Sequence, residues 1–211
     1  MPLANYLKRA GLVTGPSLSY TGHTKLGMIK SVLLGHEVKM WVTTTYQLTG
    51  TYVHEMLFLG DSKIKLVPEE QIKADGMLRS LKANKLVMML IKDAECEKTH
   101  RIKLRGFNFQ YTPDAVQSKK KGRDLKTTIC STEADFVQAA FEYGYFRQDV
   151  AYSEAHGLTE FVDIGIQKVP PHRVYIVVAR LYKDLYDYAE KEFDFLTYFY
   201  KHYGNFKSLE H

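Results

Sequence analysis

Residues 100–111 read His100-Arg101-Ile102-Lys103-Leu104-Arg105-Gly106-Phe107-Asn108-Phe109-Gln110-Tyr111. Taken as one extended strand, successive side chains fall on opposite faces. Arg101, Lys103, Arg105, Phe107, Phe109 and Tyr111 then share one face, and Ile102 and Leu104 share the other with Gly106, Asn108 and Gln110. Three cations followed by three rings suit single-stranded nucleic acid, since cations neutralise phosphates and rings stack on unpaired bases. Gly106 leaves a second arrangement open: a mid-strand bulge would shift the register and turn the rings to the core.

The surroundings of this stretch are basic. Residues 98–126 hold nine cations (Lys98, Arg101, Lys103, Arg105, Lys119, Lys120, Lys121, Arg123 and Lys126) against Asp114 and Asp124, a net charge of +7 in a chain whose total is +5. Residues 131–163 reverse the sign, with Glu133, Asp135, Glu142, Asp149, Glu154, Glu160 and Asp163 against Arg147 alone. The two segments either complement each other or leave one face that attracts anions. Residues 112–130, with Lys119-Lys120-Lys121-Gly122-Arg123, read as a polar, basic, exposed loop.

Working outward, the pattern implies an α+β fold: a mostly antiparallel sheet packed against helices, including a long C-terminal helix. The sheet is expected to take in 36–46, where Val38, Met40 and Val42 alternate with polar residues, 85–92 around the apolar run 86–91, and 100–111. Leu26 to Leu34 and Val174 to Val178 read as further strands. Residues 68–83 read as a helix opening on Pro68, Glu69 and Glu70, and Thr132 with Asp135 marks the start of another over 132–143. The C-terminal helix runs from 179 to 203, with an inner stripe of Leu181, Leu185, Tyr188, Ala189, Leu196 and Phe199. Glycine-rich residues 1–25 read as a loose arm, 26–208 as a single domain, and Leu209-Glu210-His211 as a vector-derived tag remnant.

Two fragments resemble the RNA recognition motif. Arg105-Gly106-Phe107-Asn108-Phe109 is similar to the start of its octamer, and Leu57-Phe58-Leu59-Gly60-Asp61 to its hexamer. The resemblance implies base stacking by Phe58, Phe107 and Phe109. It spans only 57–112, and Asn108, Gln110 and Thr112 depart from the pattern, so the family is not assigned.

No phosphate loop, nucleophile elbow, His-Glu-x-x-His or dinucleotide fingerprint is present, and no cofactor is expected. Cys96 and Cys130 make no disulfide framework and, with His100, no four-ligand metal set, so no metal site is expected either. Without an apolar run of spanning length or a signal-like start, the expected location is cytoplasmic or another reducing compartment. The reading that results is a non-enzymatic protein binding RNA or single-stranded DNA. Arg101, Lys103, Arg105, Lys119, Lys120, Lys121, Arg123 and Lys126 would sit on phosphates, and Phe107, Phe109 and Tyr111 on bases. The alternatives are a viral matrix- or coat-like assembly subunit, forming a homo-oligomer or using the basic face on an anionic membrane, and an enzyme without a local motif that acts on a nucleotide.

Overall fold

The computed structural model describes Leu26, Ile29, Lys30, Leu33, Leu34 and residues 45–118 and 120–203. The arm at 1–25, most of the 36–46 segment, Lys119 and the tag remnant lie outside these residues. Six helices and seven strands follow in the order α1 (Thr45–Phe58), α2 (Pro68–Ala83), α3 (Lys85–Ile91), β1 (Glu95–Cys96), β2 (His100–Leu104), β3 (Phe107–Tyr111), β4 (Ala115–Gln117), β5 (Lys121–Thr128), α4 (Glu133–Glu142), α5 (Tyr145–His156), β6 (Glu160–Gln167), β7 (Val174–Val178) and α6 (Lys183–Tyr203). The expected α+β class holds, with the long C-terminal helix in place. The main sheet is mixed, in the order β1-β4-β5-β6-β7; only β5 and β6 run parallel, because the crossover between them carries α4 and α5.

Helices cover both faces. On one face Leu125, Val162, Ile164 and Ile166 pack with Val53, Ala74, Met77, Leu78, Leu81 and Val87 from α1, α2 and α3. On the other, Phe161, Tyr175 and Val177 meet a core built from α4, α5, α6 and the β2–β3 hairpin. Such a central strand is buried on both sides, so β6 is almost wholly buried despite the acid in its middle.

Several expectations are corrected. Residues 85–91 are a helix, because Asn84 serves two helices at once. Its N–H closes α2 on Ser80 and Leu81, and its side-chain oxygen accepts from Leu86 N at 3.0 Å and Val87 N at 3.2 Å. Leu26, Ile29, Lys30 and Leu33 are helical rather than extended, and Thr45 opens α1. Leu57 and Phe58 close that helix, so no first strand of an RNA recognition motif exists there. The basic stretch 112–130 is no loop: it contains β4 and the central strand β5, in which Arg123, Asp124 and Leu125 are buried.

The stretch 100–111 is a hairpin. Arg105 (φ 51°) and Gly106 (φ 89°) form a two-residue turn that closes Leu104 on Phe107. Folding back pairs Ile102 with Phe109 and Lys103 with Asn108, so rings and cations separate onto opposite faces. Phe107, Phe109 and Tyr111 are buried; Arg101 and Lys103 stay exposed. The rings therefore serve the core. Phe109→Ala should cost about 3–5 kcal/mol in chemical denaturation. Unchanged stability would mean that the ring is a surface group after all.

Candidate active site

Asp114 stands one residue before β4. Ala115 pairs with Arg123, so Asp114 falls opposite Asp124, where the two strands part. Parting leaves the Leu125 backbone without a β4 partner, and buried backbone groups must be satisfied. The Leu125 N–H donates to Asp114 Oδ2. The Leu125 carbonyl accepts from His54 Nε2 at 2.6 Å, reached from α1. The same ring lies 3.2 Å from Asp114 Oδ2, and its Nδ1 lies 3.4 Å from Glu97 Oε1. Glu97 is fixed in turn by its own N–H, which donates to the Asp114 carbonyl at 3.0 Å.

On the α5 side of β5, Asp124 and Lys126 project together and form an ion pair. Gln148 of α5 bridges them, accepting from Lys126 Nζ at 3.1 Å and donating to Asp124 Oδ2 at 3.3 Å. The Lys126 ammonium also sits 4.5 Å from the Tyr145 ring centre, a cation–π contact. Asp163 is the parallel-strand neighbour of Asp124. Asp149 joins it from α5, carboxyl against carboxyl, and both are fully buried.

Four carboxyl groups, Asp114, Asp124, Asp149 and Asp163, are thus buried around one ammonium. Burial followed by the charge of Asp124 pushes Asp114 well above the usual carboxylate range, although His54 and Lys126 oppose the shift. Burial and the neighbouring Asp163 push Asp149 up in the same way. Asp163 is raised to about 7, chiefly by burial, with Lys126 opposing and Asp124 adding to the shift. For Lys126 burial disfavours the charge, but Asp124, Asp163 and Asp114 overcome it and hold the ammonium above the ordinary lysine range. For His54 burial is likewise overcome, by Asp114, Glu97, the Leu125 carbonyl and Asp124, and the imidazole is raised to about 9.

Such an interior binds protons or cations. The ligand atoms of His54, Glu97 and Asp114 lie within 4.8 Å of one another. One imidazole and hard carboxylate oxygens, with the Leu125 carbonyl beside them, form a donor set suited to Mg²⁺ or Mn²⁺.

Of the residues expected to touch nucleic acid, only Lys126 belongs to this cluster. Arg123 is buried and paired with Glu160 at 2.8 Å. Arg105 is held by Glu154 and Asp194 and lies over the Phe193 ring. Arg101, Lys103, Lys120 and Lys121 are exposed. Sequence reasoning missed His54, Glu97, Asp114, Asp124, Gln148, Asp149 and Asp163 as site residues. One signal was available: Tyr145, Gln148, Asp149 and Tyr152 form a polar stripe at helical spacing, and the last three are buried on α5.

No family model and no curated protein matches the chain. Among solved structures, a "putative exonuclease" from Eubacterium rectale has the same fold, with a TM-score of 0.58 and 17% identity over 80% of this chain and 69% of that one. A phage-related exonuclease from Haemophilus somnus 129PT aligns with a TM-score of 0.42 and 14% identity, over 85% of this chain and 95% of that one. The fold shared with the Eubacterium rectale protein, an exonuclease by name, runs against the expectation of a non-enzymatic binding protein. No helix among the described residues is long and apolar enough to cross a membrane.

Divalent cations should stabilise the protein. At a hundredfold excess over Kd, Mn²⁺ should add about 2.7 kcal/mol, read as a rise in melting temperature. The gain should vanish in Asp114→Asn and His54→Ala, whereas an equal gain in both would place the cation elsewhere.

Proposed function

We propose that the protein is a divalent-cation-dependent nuclease that hydrolyses phosphodiester bonds in nucleic acid. The observation that carries this reading is the meeting of Asp114, Asp124 and Lys126 at the point where β4 leaves β5, with His54 and the Leu125 carbonyl beside them. The fold shared with the Eubacterium rectale protein supports it.

The chemistry has three demands: a nucleophilic water, neutralisation of charge on the phosphoryl oxygens, and a proton for the departing sugar oxygen. His54, Glu97 and Asp114 would hold the cation with the Leu125 carbonyl beside them, and the nearby charge of Asp124 adds to theirs. When bound, the cation supplies Lewis acidity and lowers the pKa of a water in its shell. Lys126 is kept charged by its acidic neighbours, so it stabilises the negative charge that grows on the phosphoryl oxygens. Gln148 fixes the direction of both Lys126 and Asp124. The water oxygen bonds to phosphorus and gives up a proton to solvent, the bond from phosphorus to the sugar oxygen breaks, and that oxygen takes a proton from solvent and leaves as a hydroxyl. Exposed Lys103, Lys120 and Lys121 are proposed as phosphate contacts.

The test is degradation of labelled single-stranded DNA, duplex DNA and RNA in Mg²⁺ or Mn²⁺ against EDTA. Wild-type protein should cleave only with the cation. Asp124→Asn and Lys126→Ala should each lower the rate by more than about a hundredfold, with unchanged circular dichroism. Cation-dependent cleavage that survives in both variants would belong to a contaminant, and no cleavage of any of the three would sink the proposal.

A further inference from the structure

Helix α3 leaves its apolar residues in solvent. Leu86 is 44% exposed, Met88 40% and Met89 60%, while Val87 alone is buried beneath them. Single exposed hydrophobes are ordinary, but three on one seven-residue helix form a patch. The charge around them is one-sided: residues 77–92 contain Arg79, Lys82, Lys85 and Lys92 and no acid. All four cations are exposed, and no ion pair engages them among the described residues. Lys85, Met88, Met89 and Lys92 recur at helical spacing, so apolar and cationic groups alternate along one outer face.

This face is tied to the candidate active site. The Gln117 amide of β4 donates to the Lys92 carbonyl at 2.8 Å and to the Met89 carbonyl at 3.3 Å. Gln117 lies three residues from Asp114, about 10 Å along the strand. From its C-terminus the chain runs through β1 straight to Glu97, whose carboxylate meets His54. A rigid, basic and apolar ridge therefore stands one short strand away from the cluster of acids.

We infer that α3 is a substrate-binding ridge that takes an unpaired nucleic-acid strand, with Leu86, Met88 and Met89 packing on bases and Lys82, Lys85 and Lys92 on phosphates. The inference rests on the nuclease reading and deepens it: the preferred substrate has single-stranded character where it meets α3. Flexible apolar side chains such as methionine pack on the faces of any base, so contact is made without sequence preference. The lysines supply the non-specific attraction that every phosphate chain offers. The occupant is an anionic polymer with apolar faces because the patch carries Lys82, Lys85 and Lys92 against one flanking acid, Asp93; a net basic rim disfavours a second copy of itself.

The experiment measures binding apart from cleavage. Asp124→Asn protein in EDTA is titrated into a fluorescein-labelled single-stranded oligonucleotide and into the blunt duplex of the same sequence. The single strand should bind more tightly. Met88→Ser with Met89→Ser should weaken single-strand binding about tenfold and leave the salt slope unchanged, because stacking releases no counterions. Lys85→Ala with Lys92→Ala should flatten the plot of log affinity against log salt by about 1.4, roughly 0.7 for each lost contact. If both double variants bind as the parent does, the inference is overturned, even where wild-type protein cleaves. If the protein cleaves nothing yet these variants lose binding as described, the ridge stands and the nuclease reading falls. Were the methionine variant to turn an oligomer into a monomer on size exclusion while binding the oligonucleotide unchanged, α3 would be a contact between copies and the inference would be wrong.

Discussion

The parting of β4 from β5 at Asp114 is the constraint on which the candidate site depends. A central strand is normally saturated with hydrogen bonds on both edges. Leu125 keeps its β6 neighbour and loses its β4 neighbour, and the two orphaned backbone groups are taken up by side chains, Asp114 on the N–H and His54 on the carbonyl. An acid and an imidazole are thereby drawn to the same spot from separate elements, one from the strand edge and one from α1. The same strand offers Asp124 and Lys126 to the opposite helix layer. Rigidity and an opening in the backbone coincide, which is the combination a site for oriented chemistry requires.

The charge placed there works against stability. A buried ion pair gains little over well-packed apolar groups of the same volume, and unpaired buried acids cost more. Around Lys126 the excess of carboxyls is relieved only by protons, as at Asp149 and Asp163, or by a cation. A polypeptide that needed this region only for packing would do better with leucines, as the opposite face of β5 and β6 shows with Leu125, Val162, Ile164 and Ile166. The contrast between the two faces of one strand pair is what marks the acidic side as chemical rather than structural.

The legible parts of the fold were those with local punctuation. Pro68 with Glu69 and Glu70, and Thr132 with Asp135, each announced a helix that the structure contains; the C-terminal helix is present too, but it starts at Lys183, and Leu181 and Tyr188 of its expected inner stripe are exposed. Residues 85–91 misled because a short apolar run has no period of its own; it is the Asn84 side chain that starts the helix. Residues 100–111 misled because Arg105, a residue type that seldom takes positive φ, does so beside Gly106 and the pair reverses the chain. That single reversal moved three rings from a supposed binding face into the core. The site itself was illegible for another reason: His54, Glu97, Asp114, Asp124 and Gln148 span almost a hundred residues, and only the strand order brings them together.

Strand order also explains the charge segregation along the sequence. The basic stretch ends in β5 and the acidic stretch ends in β6, and these two strands are parallel neighbours. Their charges meet across the sheet and its crossover: Arg123 with Glu160, Arg105 with Glu154, and Lys126 with its ring of carboxyls. Much of the +7 segment is therefore neutralised inside the molecule and is not offered to a partner. Besides exposed Lys103, Lys120 and Lys121, the cations open to solvent include a stretch with no unusual total, residues 77–92, where the absence of acids matters more than the number of lysines. For an anionic polymer approaching from solvent, an unpaired exposed ammonium attracts and a buried paired one does not. The density of basic residues in a sequence is accordingly a poor guide to the positive surface of the fold, and the pairing imposed by topology decides which of them a substrate meets.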